Sequence, residues 1–149
     1  EDSSGTIQNM KLWDTSGQER YQSLSKIYFR EADVAVVCFD SSEENSMFNT
    51  KSWVDLVLSQ SPNCNLIFVG TKQDLIDDTK VSQVLSQADS FFENYNPTDI
   101  IITSSKTSRN ISLLKTAIAN ALSERPLSDP NDLNVDIKQN KDNATNQCC

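Results

Sequence analysis

Three polar clusters hold the residue types that binding or catalysis requires: Asp14-Thr15-Ser16-Gly17-Gln18-Glu19, Gly70-Thr71-Lys72-Gln73-Asp74-Leu75 and Thr103-Ser104-Ser105-Lys106-Thr107. There is no His, so the commonest general base and metal ligand is missing. Any catalysis must therefore use carboxylates, amides, backbone groups or a bound metal. Taken singly, each cluster has an ordinary explanation. An Asp after a strand usually forms a turn, a lone Lys is usually a solvated charge, and Ser-rich turns are common loops. Their shared position along the chain is what singles them out.

Each cluster follows an apolar run. Ile7 to Trp13 alternates loosely and is expected to form a short strand. Val34–Phe39, Leu66–Val69 and Ile100–Ile102 are rich in β-branched residues and fit buried strands. Helical stripes lie between and after them. Met47, Thr50, Trp53, Val54, Val57 and Leu58 share one face, and Val81, Leu85, Ala88, Phe92 and Tyr95 share a weaker one. Ile111, Leu114, Ala117, Ile118, Ala121 and Leu122 form a third. Such alternation implies an α/β fold with parallel strands and helices on both faces. Ligands in that architecture bind at the carboxyl ends of the strands. The three polar clusters should therefore share one edge of the sheet.

The 149 residues suit one domain. A net charge of −8 argues against a nucleic-acid backbone as partner, because phosphate binding needs Lys and Arg. It also argues against holding anionic lipid by charge alone. Cys38 lies in an apolar run and is expected in the core, whereas Cys64 lies in a loop beside Pro62 and Asn63. No C-x-x-C pair suggests zinc, and no apolar run is long enough to cross a bilayer. With no secretory signal, the expected compartment is the cytosol. The first residue is Glu1 rather than Met, so a fragment or incomplete reading frame is expected. Residues 126–147 have no apolar period and are rich in Asn, Asp and Gln, which suggests a disordered tail.

WDTSGQERY at 13–21 resembles the WDTAGQER[FY] signature of Rab GTPases. GTKQDL at 70–75 is similar to the G[NT]KxDL guanine motif of the Ras superfamily, and TSSKT at 103–107 to its TSAKT motif. The resemblance runs from about Ile7 to Leu122. It implies a partial Ras-like P-loop NTPase fold, three-layer α/β/α with a mainly parallel sheet. It also implies GTP or GDP with Mg²⁺ as ligands. On that resemblance Asp14 holds Mg²⁺ through a water, the Gly17 N–H bonds the γ-phosphate, and Gln18 orients the attacking water. Asp74 accepts hydrogen bonds from guanine N1–H and the exocyclic amine, and the Lys72 stem lies on the base plane. The Ser105 N–H meets the guanine carbonyl oxygen, Thr71 and Ser104 brace these loops, and Lys106 belongs to the same nucleotide-binding set. Ser16 and Ser105 stand where Ala is usual, and Thr71 where Asn is commoner.

The Rab type is favoured by Trp13 and by Ile27-Tyr28-Phe29-Arg30-Glu31-Ala32, which is similar to the run YYRxA. Trp13 and Tyr28 match two positions of an effector-facing aromatic surface, although either residue could instead lie in the core. The chain ends in Cys148-Cys149, which resembles the doubly geranylgeranylated Rab ending and is not a C-a-a-X box. One lipid gives only marginal membrane binding. From position 125 onward, Arg125, Lys138 and Lys141 are outnumbered by Asp129, Asp132, Asp136 and Asp142. A second lipid is therefore the natural second signal. Residues 1–124 are expected to be the partial GTPase domain and 125–149 the tail.

The glycines are Gly5, Gly17 and Gly70, and none begins G-x-x-x-x-G-K-[ST]. The first strand, phosphate loop, first helix and switch I are thus expected upstream of Glu1. The chain alone is expected to be inactive, and its parent to be a GTPase acting in vesicle-mediated protein transport. Implied partners are effectors, an exchange factor, a GTPase-activating protein, an escort protein, a geranylgeranyl transferase and a dissociation inhibitor. The implied state is a monomer, on the cytoplasmic face of an endomembrane with a cytosolic pool. The competing readings are a non-catalytic interaction module derived from such a GTPase, and a Rho-like signalling GTPase, which Thr71 permits.

Overall fold

The computed structural model describes residues 4–5, 9–15 and 29–123. Three strands form a parallel sheet in the order β1 (Val34–Asp40), β2 (Asn65–Thr71), β3 (Asp99–Ile102). The helices that lie wholly among the described residues are α1 (Ser46–Asn49), α2 (Lys51–Gln60), α3 (Asp78–Phe92) and α4 (Ile111–Ser123). Short 3-10 turns span Gln73–Leu75 and Glu93–Tyr95.

β2 is the centre of the sheet and is buried on both faces, which explains its unbroken apolar run. Because side chains alternate across a strand, Leu66 and Phe68 enter one cluster while Ile67 and Val69 enter another. The first cluster packs under α1, α2 and α3 through Met47, Val54, Val57, Val84, Ala88 and Phe92. The second packs under α4 through Ala117 and Ala121. This is the expected three-layer α/β/α architecture. Phe92 stacks on Phe68 in the first cluster, with centroids 3.7 Å apart and rings inclined by 15°. Parallel pairing sets Asp40 opposite Thr71 and Gly70 opposite Ile102. The carboxyl ends of all three strands therefore meet at one edge.

The apolar runs at 34–39, 66–69 and 100–102 are all strands, each longer than the run by one to three residues. The expected strand at Ile7–Trp13 is not present in its described part. Residues 9–13 carry no strand, and Leu12 is 84% exposed. A strand needs a ladder partner, and β1, β2 and β3 pair only with one another among the described residues. The expected tail lies outside the described residues.

The two cysteines exchange their expected places: Cys64 is buried in the first cluster and Cys38 is exposed. Alternation on β1 sends Val34, Val36 and Cys38 toward the α4 face. Val34 and Val36 pack against the second cluster, which does not extend to Cys38. Cys64 lies at the turn entering β2, beneath α2, where an apolar thiol side chain fills the core.

α3 begins at a capped end, where Asp77 accepts the Lys80 N–H at 2.8 Å. Its buried line is Val84, Ala88 and Phe92, with Val81 and Leu85 partly buried. Replacing Phe92 with Ala removes the ring that stacks on Phe68, and should cost about 3–5 kcal/mol. Urea unfolding should show a lower midpoint at an unchanged slope.

Candidate functional site

β1 ends in an acidic turn. The Asp40 Oδ1 accepts the Ser42 N–H at 2.9 Å and the Ser42 hydroxyl at 2.6 Å, while the Asp40 N–H donates to Ser46 Oγ at 2.7 Å. This is the local bonding that makes Asp a turn former. The second carboxylate oxygen pairs with Lys72 Nζ at 2.5 Å. Together these contacts hold the Asp40 carboxyl at about 2, the Lys72 ammonium being the largest cause and the Ser42 hydroxyl the next. The same pair raises Lys72 above its ordinary value.

β2 ends at Gly70 and Thr71. Gly70 is favoured by close approach rather than by backbone angle. A Cβ there would lie 2.4 Å from Ile102 Cδ1 and 2.5 Å from Ser41 Oγ. Thr71 ties the two strands together: its hydroxyl donates to the Phe39 carbonyl at 2.9 Å, and its carbonyl accepts the Ser41 N–H at 3.0 Å. The chain then turns through Lys72, whose φ of 61° and ψ of 35° are left-handed. A non-glycine residue there is strained and persists only where its surroundings hold it. The hold comes from Gln73 N–H to the Thr103 carbonyl at 2.9 Å and from Leu75 N–H to the Lys72 carbonyl at 3.0 Å.

Asp74 lies in the resulting 3-10 turn. It is exposed as a residue, yet its side chain keeps only 14% of its accessible surface. One carboxylate oxygen accepts the Ser104 hydroxyl at 2.6 Å, and the other faces Lys106 Nζ at 3.6 Å. These partners lower the carboxyl pKa, the Ser104 hydroxyl being the largest cause. Ser104 is itself fully buried and accepts the Thr107 N–H at 3.2 Å, so its hydroxyl is oriented from both sides. The loop around it is closed by a Ser104–Arg109 bridge and by Asn110 Nδ2 donating to the Ile102 carbonyl at 2.7 Å. Ser105 and Lys106 are exposed at the loop's rim.

The second and third sequence clusters thus come together: Thr71, Lys72, Asp74, Ser104, Ser105 and Lys106 share the carboxyl edge of β2 and β3. Asp14 is exposed. Protein atoms around the Cys38 thiol raise its pKa, and the charge of Asp14 raises it further. Trp13 is 61% exposed, so the core alternative does not hold for it. Gly17, Gln18, Tyr28, Cys148 and Cys149, together with Ser16, lie outside the described residues.

Asp40 is part of this edge and was not among the residues singled out by motif. The buried Ser41 Oγ and Gln73 Oε1 lie at the same edge, without a hydrogen-bond partner among the described residues. A shallow cavity of about 600 Å³ lies at the opposite, amino end of the sheet, lined by Cys64, Asn65, Tyr95 and Thr98 among others. It touches none of the residues above. It is an open groove between loops, without convergent charged groups. A second cavity of about 260 Å³ runs beside Val36–Cys38 against Thr50 and Trp53. No cluster of three or more Asp, Glu, Cys or His residues able to hold a metal occurs among the described residues.

A family model described as the Ras family matches residues 2–124, and the chain belongs to that family of small GTPases. The family binds guanine nucleotides with Mg²⁺. The donor set at this edge suits the base end of such a ligand. The Asp74 carboxylate retains acceptor capacity toward two N–H groups, and Lys72 and Ser105 stand on either side of it in the chain. Mg²⁺ takes few protein ligands and relies on nucleotide phosphates and water.

The depressed Asp40 pKa gives a pH signature. The stabilisation from its charged form is complete above the ordinary carboxylate range near ~4 and is lost as pH falls toward about 2. Carbon-detected NMR of the Asp40 carboxyl should show a midpoint near that lower value. In Lys72→Met the midpoint should return part of the way upward, because the Ser42 hydrogen bonds remain.

Proposed function

We propose that the chain is the guanine-recognising and membrane-anchoring part of a Rab-type switch. The observation that carries the first half is the 2.6 Å bond from Ser104 to Asp74, which joins the loops after β2 and β3 into one unit. Guanine presents N1–H and an exocyclic amine side by side, whereas adenine presents an acceptor at N1. A carboxylate fixed at Asp74 rewards the first and repels the second. Lys72 covers the base plane through its stem, the Ser105 N–H receives the carbonyl oxygen, and Thr71 and Ser104 hold these two loops.

In the whole switch, Asp14 serves the Mg²⁺, Gly17 the γ-phosphate and Gln18 the water. The exposed Trp13, with Tyr28, belongs to the surface that effectors read. Residues 1–124 form the switch domain, and residues 125–149 form the tether. The cysteines at its end carry two prenyl chains and hold the protein to an endomembrane during vesicle traffic. Exchange factor, activating protein, escort protein, prenyl transferase and dissociation inhibitor are the regulators this scheme needs. The Rab assignment over a Rho-like one rests on WDTSGQERY, on YFREA and on the terminal Cys pair.

These 149 residues contain no G-x-x-x-x-G-K-[ST] loop. The base contacts alone should therefore hold GDP weakly and give no hydrolysis. A titration followed by amide shifts at residues 71–75 should show weak GDP binding, no comparable response to ADP, and loss of the response in Asp74→Ala. An equal response to both nucleotides would sink the guanine assignment. Tight, Mg²⁺-dependent binding by the chain would sink the expectation that the phosphate contacts lie elsewhere. For the anchor, Cys148→Ser with Cys149→Ser should move the protein from the membrane pellet to the supernatant of a cell fractionation. A double variant that still sediments with membranes would refute the lipid tether.

A further inference from the structure

The ion pair between Asp40 and Lys72 joins the end of β1 to a residue of the proposed base site, and stability alone does not account for it. The Lys72 side chain is 58% exposed, and pairs in such settings contribute only about 0–1 kcal/mol to folding. The acid partner is nevertheless held on every side. Asp40 spends one oxygen on the Ser42 N–H and hydroxyl, its own N–H is held by Ser46, and its second oxygen is directed at the lysine. At the other end, the Lys72 backbone is fixed in the left-handed region between two hydrogen-bonded turns. Both termini of the lysine are therefore pinned, Cα by the loop and Nζ by the carboxylate. A free lysine stem has about 2 kcal/mol of rotamer entropy. A stem pinned at both ends has already lost much of it.

We infer that Asp40 is a positioning residue of the guanine site: it draws the Lys72 ammonium to the end of β1, so that the four-carbon stem stands as a ready wall for the base. The inference rests on the guanine reading of Asp74 and deepens it. Asp40 touches no ligand in this scheme and acts only through Lys72. Loss of its charge frees the stem, and the base must then order it on binding. The affinity for the base falls while its selectivity, set by Asp74, is kept.

GDP binding is read from the amide shifts of residues 71–75 in the wild type and in Asp40→Asn, Lys72→Met, Lys72→Ala and the Asp40→Asn/Lys72→Ala pair. Thermal unfolding of each variant serves as the check on folding. Asp40→Asn should weaken GDP about five-fold, within the usual coupling of contacting residues, and still discriminate against ADP. Lys72→Met, an exposed change that keeps the stem and removes the ammonium, should weaken it similarly. In the Lys72→Ala background, Asp40→Asn should cause no further loss. A merely structural role for Asp40 predicts equal losses in both backgrounds, and that outcome overturns the inference. Affinity within two-fold of wild type in both Asp40→Asn and Lys72→Met overturns it as well, while loss in Asp74→Ala leaves the guanine reading standing. No GDP response in the wild type sinks the guanine reading, and the inference falls with it.

Discussion

The whole arrangement depends on β2 being buried on both faces. A strand covered on two sides must present apolar groups at every position, and it must satisfy its backbone in two ladders at once. Here both ladders are parallel. Parallel pairing brings every strand to the same edge with the same polarity, so the residues after β1, β2 and β3 emerge side by side. Antiparallel pairing of any one strand would send its following loop to the other end of the sheet. The 2.6 Å bond between Ser104 and Asp74 is possible only because residues 30 apart in sequence leave the sheet together. The close packing of Gly70 against Ile102 tightens the same edge from within.

The strands with β-branched runs were legible because burial on both faces leaves a direct compositional trace. Their ends were not. Asp40 and Thr71 extend β1 and β2 past the apolar runs, because the ladder continues for as long as backbone partners exist. The helix faces were read slightly off centre. Val84 is buried on α3 and was not in the stripe chosen at 81, 85, 88, 92 and 95. A helix buries a broad arc, and a stripe chosen by strong hydrophobicity marks only part of it. The described part of the expected strand, residues 9–13, shows the opposite failure. Its loose alternation suits a strand, but alternation alone provides no partner.

For the site, the expectation that the loops at 70–75 and 103–107 meet at one sheet edge holds, since loops after parallel strands must converge. What they could not show is how each position is held. The need for Gly70 depends on Ile102 and Ser41, neither of them adjacent in sequence. The exposure of Cys38 depends on where α4 stops covering β1. Asp40 was invisible for the same reason. As an Asp directly after an apolar run it has the type of a turn former, which it is, and only folding brings Lys72 to its free oxygen. Motifs report the groups that touch a ligand. The groups that hold those groups still are spread along the chain and leave no local pattern.

Charge at this edge is arranged in closed pairs: Asp40 with Lys72, and Asp74 with Lys106. A net positive edge would attract any nucleotide through its phosphates and discriminate poorly among bases. The two pairs leave no surplus of positive charge, so on the proposed reading an uncharged base is recognised by direction, through the acceptor oxygens of Asp74 and the plane offered by the Lys72 stem. Attraction for phosphates then has to come from other residues, which agrees with the acidic balance of the chain. Under the proposed guanine reading, the edge reads the identity of the base, while most of the affinity is supplied elsewhere. That is why a site so well braced is expected to select its ligand clearly and hold it weakly.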